Sequence, residues 1–306
     1  MSRRCIDGVL LLDKPSGITS NAALQRAKRA LNAQKAGHTG TLDPLASGLL
    51  PLCFGEATKF AQTLLDARKR YTATVRFGAT TATGDAEGPV TASFPVAFTE
   101  DALRATLAAM EGPQLQIPPT YSALKFEGRP HYEYARAGVE VPRLPRPITL
   151  HALHLVSWQP PDAVVDIECS KGTYIRVLAE DLGRILGGGA HLAALRRTGT
   201  GVFALADAIA LADFEALERS VQDGRLLPVD APLADVALLV LNAPMAAALT
   251  MGQQLGTDAA AGRYRAYGPG DTFLGLADVA AGRLSAVRLV KGRDLADASV
   301  IDLRRA

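Results

Sequence analysis

One stretch of the 306-residue chain limits its architecture more than any other: Gly37-His38-Thr39-Gly40-Thr41-Leu42-Asp43-Pro44-Leu45-Ala46-Ser47-Gly48. It holds three glycines and a proline and sustains neither the helical nor the strand period, so it must be carried as a shaped loop. The residues before it read as strand, turn and helix. Val9 to Leu12 is apolar, Asp13-Lys14-Pro15-Ser16-Gly17 has turn chemistry, and Thr19 or Ser20 can cap a helix to about Asn32 with Leu24, Ala27 and Leu31 on one face. Arg26, Lys28, Arg29 and Lys35 crowd the remaining surface, as a solvated face or as one that meets phosphates.

Further along, Tyr71, Ala73, Val75 and Phe77 alternate with Thr72, Thr74 and Arg76, the pattern of a half-buried strand with Tyr71 aimed at an interior or a cleft. A helix is expected from about Thr99 to Met110, then a Pro-rich loop from Gln116 to Ala123, a short helix around Tyr132 to Ala137, and a strand from Val164 to Cys169. Ser170-Lys171-Gly172-Thr173 turns into a helix whose Ile175, Leu178, Ala179, Leu182 and Leu186 form an apolar stripe ending at Gly187. Past about Leu233, short apolar runs separated by turns read as a small β-rich domain. The expected division is residues 1–232 and 233–306, an α+β chain of two domains.

Composition removes several function classes. Hydrophobic residues make up 48% and charged residues 21%, an ordinary globular balance. Cys5, Cys53 and Cys169 lie far apart and form no C-x-x-C pair, which fits a reducing cytoplasm. The apolar stretch after Arg3 and Arg4 is too short for an export signal, and Val236 to Leu241 is far below a membrane span, so no membrane role is expected. The five histidines show no H-E-x-x-H, and the glycines lack phosphate-loop spacing, so neither a metal nor a nucleotide cofactor is expected. Gly84-Asp85-Ala86-Glu87-Gly88 begins like a calcium loop, but its twelfth position from Asp85 is Val96, which leaves a solvated turn. Residues 1–60 carry 8 Lys/Arg against 4 Asp/Glu and residues 151–235 carry 7 against 12, an asymmetry that permits a one-sided basic surface for a polyanion.

Alone, Asp43 would be a turn residue capping backbone amides. The run from Gly37 through Pro51, continued by Gly55-Glu56-Ala57-Thr58-Lys59, resembles the catalytic motif of the TruB-type pseudouridine synthases. Asp13-Lys14-Pro15-x-Gly17-x-Thr19-Ser20, Lys69-Arg70-Tyr71, Gln116-Ile117-Pro118-Pro119 through Lys125, Ser170 through Arg176, and His191-Leu192-x-x-Leu195-Arg196-Arg197 resemble the family's other motifs in the same order.

That resemblance implies a mixed, largely antiparallel sheet with flanking helices and, more loosely, a PUA-like RNA-binding C-terminal domain. It implies an isomerase that flips the T-loop uridine at position 55 of tRNA, cleaves the C1′–N1 bond and rejoins C1′ to C5. The rivals are a synthase acting on another RNA and a tRNA-folding chaperone in which Asp43 only shapes the loop. The reaction involves neither redox change nor hydrolysis and requires no cofactor; no protein partner is implied.

By the same resemblance Asp43 is the catalytic carboxylate, acting as nucleophile or base. Arg176 is the cation that orients it, because a carboxylate in a closed pocket otherwise tends to protonate. Tyr71 stacks on the flipped base with its hydroxyl near C5, Tyr174 and Leu195 line the pocket, and His38 fills the space left by the nucleotide. Lys14 and Pro15 brace the motif loop. In the C-terminal domain, Arg263 and Arg265 beside Tyr264 and Tyr267 are expected to add RNA contacts.

Overall fold

The computed structural model describes residues 2–122 and 124–291, apart from the side chains of Tyr132 and Arg136. Ala123, which closes the Pro-rich loop, and residues 292–306 of the expected C-terminal domain lie outside the described residues. Regular structure opens with β1 (Gly8–Lys14) and α1 (Ser20–Ala30), where Thr19 Oγ1 caps the helix by accepting the Ala22 amide at 3.1 Å. β2 (Ala36–His38) and β3 (Ser47–Phe54) absorb both ends of the glycine-rich run. The loop proper is therefore residues 39–46, shorter than expected, because pairing of His38 with Leu52 extends the sheet into glycine-containing sequence.

After α2 (Ala61–Asp66) come β4 (Lys69–Phe77), a hairpin of β5 (Ala79–Thr81) and β6 (Val90–Ser93), α3 (Glu100–Ala109) and β7 (Gly112–Gln116). A second hairpin, β8 (Lys125–Phe126) and β9 (Arg129–Pro130), leads into α4 (His131–Arg136). There follow β10 (Arg146–Gln159), β11 (Asp162–Cys169), α5 (Ile175–Ile185), β12 (Ala190–Thr200), β13 (Phe203–Ala204) and β14 (Ile209–Ala210), then α6 (Leu211–Ala216) and α7 (Arg219–Asp223). One sheet collects most of these strands in the order β14-β1-β3-β12-β4-β11-β10-β7, with β2 on β3 and β13 on β12. Only β1–β14 and β3–β12 are parallel in it, so the sheet is mixed and largely antiparallel, as the resemblance implies.

Burial explains the sequence patterns. Leu10 and Leu12 pack with Leu24 and Ala27 of α1 and with Leu31 just past its end on one face, while Val9 and Leu11 pack with Leu49, Cys53 and Leu64 on the other. A strand covered on both sides reads as a continuous apolar run. β4 is covered on one side: Ala73, Val75 and Phe77 meet Ile175, Leu178, Ala179 and Leu182 of α5, and Thr72 and Arg76 face outward onto Asp166 and Asp162. Each such leucine contributes about 1.5–3 kcal/mol by leaving water. Tyr71 and Leu195 touch both the α1 core and the α5 core, so the junction of the two halves lies where β3 and β12 run parallel.

A separate sheet, in the order β15-β17-β18-β19-β16, comprises β15 (Ala237–Val240), β16 (Leu255–Gly256), β17 (Gly262–Gly268), β18 (Thr272–Ala280) and β19 (Arg283–Leu289), with α8 (Ala243–Thr250) against it. Phe60 and Leu233 join Leu276 in one apolar cluster, and Lys59 Nζ donates to Leu289 O at 2.8 Å, so this sheet docks on the first. The expected RNA-facing residues are engaged internally. Register places Arg263 opposite Asp278, which accepts from it at 2.8 and 2.9 Å; Arg265 donates to Asp230 and to Val236 O, each at 3.0 Å. The Tyr267 hydroxyl also donates to Asp230, and that of Tyr264 to Ala260 O at 2.8 Å. No helix among the described residues is long and apolar enough to cross a membrane.

Candidate active site

The loop 39–46 is pinned on both sides of Asp43. Thr39 donates to Pro51 O through its amide (3.1 Å) and its hydroxyl (3.2 Å). Ser20 Oγ, at the start of α1, accepts the Leu42 amide at 2.7 Å and lies 3.0 Å from Leu42 O, and the Gly17 amide donates to Pro44 O at 2.7 Å. The Asp13–Ser20 stretch thus clamps the residues flanking Asp43. Lys14 holds that clamp from within: its side chain is buried and Nζ donates to Pro15 O at 2.9 Å and Ile18 O at 2.7 Å. Burial, and the nearby Arg197 charge, push the Lys14 ammonium down to about 8.

Arg176, in the first turn of α5, ties four segments together. Its Nε lies 3.1 Å from Asp43 Oδ2 and 3.6 Å from Asp85 Oδ2, while Nη1 donates to Thr83 O (3.0 Å) and Nη2 to Tyr121 O (2.8 Å). Its side chain is 7% exposed, and that of Asp43 is 46% exposed. Here the structure departs from the expected closed pocket: the cation is enclosed and the carboxylate is open to solvent. With Nη1 and Nη2 held by two carbonyls, the guanidinium is fixed and its Nε sets the direction of one carboxylate oxygen.

Asp85 was expected in a solvated turn, yet its side chain is 4% exposed and accepts from Thr83 Oγ1 (2.5 Å) and the Glu87 amide (3.1 Å). Its enclosure comes from Leu192 of β12, whose backbone exchanges bonds with Gly84 and Ala86, and from Arg176, both remote in sequence. No local signal distinguishes such an aspartate from a solvated one. Glu87 beside it has its carboxyl raised by burial and by the charges of Asp85 and Asp43.

Around this pair stand the other expected residues. Tyr71 is opposite Arg197 in the β4–β12 register and Leu195 is opposite Ala73, so Tyr71 and Leu195 flank the junction. Burial raises the Tyr71 hydroxyl and the Arg197 charge opposes it. Tyr174 precedes α5, exchanging backbone bonds with the Gln116 side chain at 2.8 and 3.1 Å; burial raises its hydroxyl, with Arg176 and Asp43 both near enough to act on it. His38 ends β2, and desolvation, with Arg197, lowers its imidazole. Arg197, sequence-matched only as part of a motif, is buried and donates to Gly40 O and Leu49 O.

Comparison with known proteins agrees with this arrangement. Residues 28–175 match the model of the TruB family pseudouridylate synthase N-terminal domain, 176–234 that of the tRNA pseudouridylate synthase B C-terminal domain, and 238–290 the TruB C-terminal model of pseudouridine synthase II. A tRNA pseudouridine synthase B of Thiobacillus denitrificans is 55% identical over 94% of this chain and 97% of its own length. One of Aromatoleum aromaticum is 54% identical over 94% of each. Among solved structures, a Cbf5-Nop10-Gar1 complex aligns with a TM-score of 0.69 at 27% identity, covering 89% of this chain and 78% of that one. An H/ACA RNP bound to a substrate RNA shares the fold, with a TM-score of 0.71 at 23% identity over 94% of this chain and 86% of that one. By its matched residues and these relatives, the chain belongs to the TruB family of pseudouridylate synthases.

Proposed function

We propose that this chain converts the T-loop uridine at position 55 of tRNA to pseudouridine, with Asp43 as the catalytic carboxylate. The observation that carries the reading is the Asp43–Arg176 pair, a half-exposed carboxylate held by an enclosed guanidinium. Such a group meets the demand of the reaction: a nucleophile or base of fixed direction, at C1′ or on the ring, that the flipped nucleotide can reach.

In this reading Tyr71 stacks on the flipped uracil, Tyr174 and Leu195 line its pocket, and His38 occupies the gap that the nucleotide leaves. Lys14 and Pro15 brace the loop through the Asp13–Ser20 clamp, with no part in bond making. After C1′–N1 cleavage and rotation, C5 bonds to C1′, the C5 proton is lost to a base and N1 takes up a proton from solvent, so the isomer balances without a cofactor. The catalytic unit is residues 1–232, the remainder adds T-arm contact area, and the setting is the cytoplasm. The test is product mapping on an unmodified tRNA transcript. Pseudouridine at position 55 alone supports the reading; product at another position, or only in a different RNA, overturns it.

A further inference from the structure

Arg197 is the largest fully buried side chain among the described residues, at 1% exposure. Its guanidinium donates to two main-chain carbonyls, Nε to Leu49 O at 2.6 Å and Nη2 to Gly40 O at 3.1 Å, and also interacts with the Tyr71 side chain. Those carbonyls lie on either side of Asp43, Gly40 within the loop and Leu49 in β3 just beyond it. No carboxylate of the described residues pairs with it, and a cation buried without a counter-ion is costly unless its donors are well used. Its backbone sits at the same junction: Arg197 is opposite Gly48 of β3, where an added Cβ would lie 2.4 Å from Arg197 O, and opposite Tyr71 of β4.

We propose that Arg197 is a positioning residue that fixes the span of the Asp43 loop and the placement of Tyr71 together, so that carboxylate and ring address one base. The inference rests on the roles given above to Asp43 and Tyr71. A planar fork holds two carbonyls at an angle set by the guanidinium itself, whereas the ammonium of a lysine can reach two carbonyls, as Lys14 does, without fixing the angle between them. The charge alone is therefore insufficient, and Arg197→Lys separates geometry from electrostatics.

The experiment measures tritium release from tRNA labelled at C5 of uridine, which counts product at whatever position it forms. Full-length wild type, Arg197→Lys, Arg197→Gln and Asp43→Asn are compared in single turnover at saturating tRNA, with tRNA affinity and thermal midpoint measured for each. Arg197→Lys is expected to stay folded, to bind tRNA within about threefold of wild type and to lose roughly thirtyfold or more in rate, and Arg197→Gln to lose at least as much. Wild-type rate in Arg197→Lys, a loss carried by affinity, or an unfolded Arg197→Lys would each overturn the proposal. Should Asp43→Asn release tritium at the wild-type rate, the Asp43 reading itself fails; an inert Asp43→Asn beside a fully active Arg197→Lys refutes only the role of Arg197.

Discussion

A carboxylate that reacts with a sugar or ring carbon needs a fixed direction and an open approach, and Asp43 has both because Arg176 takes one oxygen from beneath. Replacing Arg176 with lysine keeps a charge but loses the contacts to Thr83 O and Tyr121 O that hold the fork. Single-turnover rate should fall by about a hundredfold or more while tRNA affinity moves less than about threefold; the reverse split would make Arg176 an RNA-backbone contact. Buried amines give a pH signature. Lys14 and Lys69 sit at about 8, below the 10.5 of an exposed lysine, so the unfolded chain holds these protons more tightly and stability rises as pH climbs from about 8 toward 10.5. The thiols of Cys53 and Cys169, pushed up by burial to about 12 and about 11 from 9.0, act in the opposite sense once unfolded thiols ionise above pH 9. The denaturant midpoint should therefore increase from pH 8 to 9 and flatten beyond; a decline over that first unit would contradict the assignment. Asp43, Arg176 and Tyr71 could be nominated because their motifs are contiguous in sequence, and the structure sets Arg176 beside Asp43. Asp85 was not, since its burial depends on β12 and α5 folding over it.

Strands covered on both faces and strands covered on one announce themselves differently, which is why β1 and β4 were readable from apolar runs and alternation respectively. The glycine-rich run misled at its ends because pairing in the sheet outweighs glycine's poor strand preference, and β3 pairs with both β1 and β2. Close approach is equally invisible in one dimension. Gly183 of α5 packs where an added Cβ would lie 2.3 Å from the Ala190 amide nitrogen, against backbone that cannot yield cheaply. Gly183→Ala should therefore destabilise by about 1–3 kcal/mol through overpacking, seen as a lower thermal midpoint, with tRNA affinity of the folded fraction retained. An unchanged midpoint would mean that α5 is free to lift from β12.

The whole molecule joins its two sheets through Phe60, Leu233 and Leu276 and through Lys59 and Glu56, which bond Leu289 O and the Lys291 amide. Residues 55–60 thus touch the C-terminal sheet while continuing the strand that leads from the Asp43 loop. Ending the chain after Asp230 exposes Phe60 and removes the partners of Asp230, so the thermal midpoint should drop by several degrees in addition to any weakening of tRNA binding. A folded truncation with unchanged midpoint would show the interface to be idle. Sequence revealed that a β-rich unit follows residue 232, but Arg263 and Arg265 looked free only because their partners Asp278 and Asp230 lie on other elements. The most direct test of the central claim joins residue to whole substrate: single-turnover pseudouridine formation at position 55 of tRNA by full-length Asp43→Asn. The substitution keeps size and hydrogen bonding and removes the charge, so turnover should vanish with tRNA affinity nearly intact. Retention of a substantial share of the wild-type rate would contradict it.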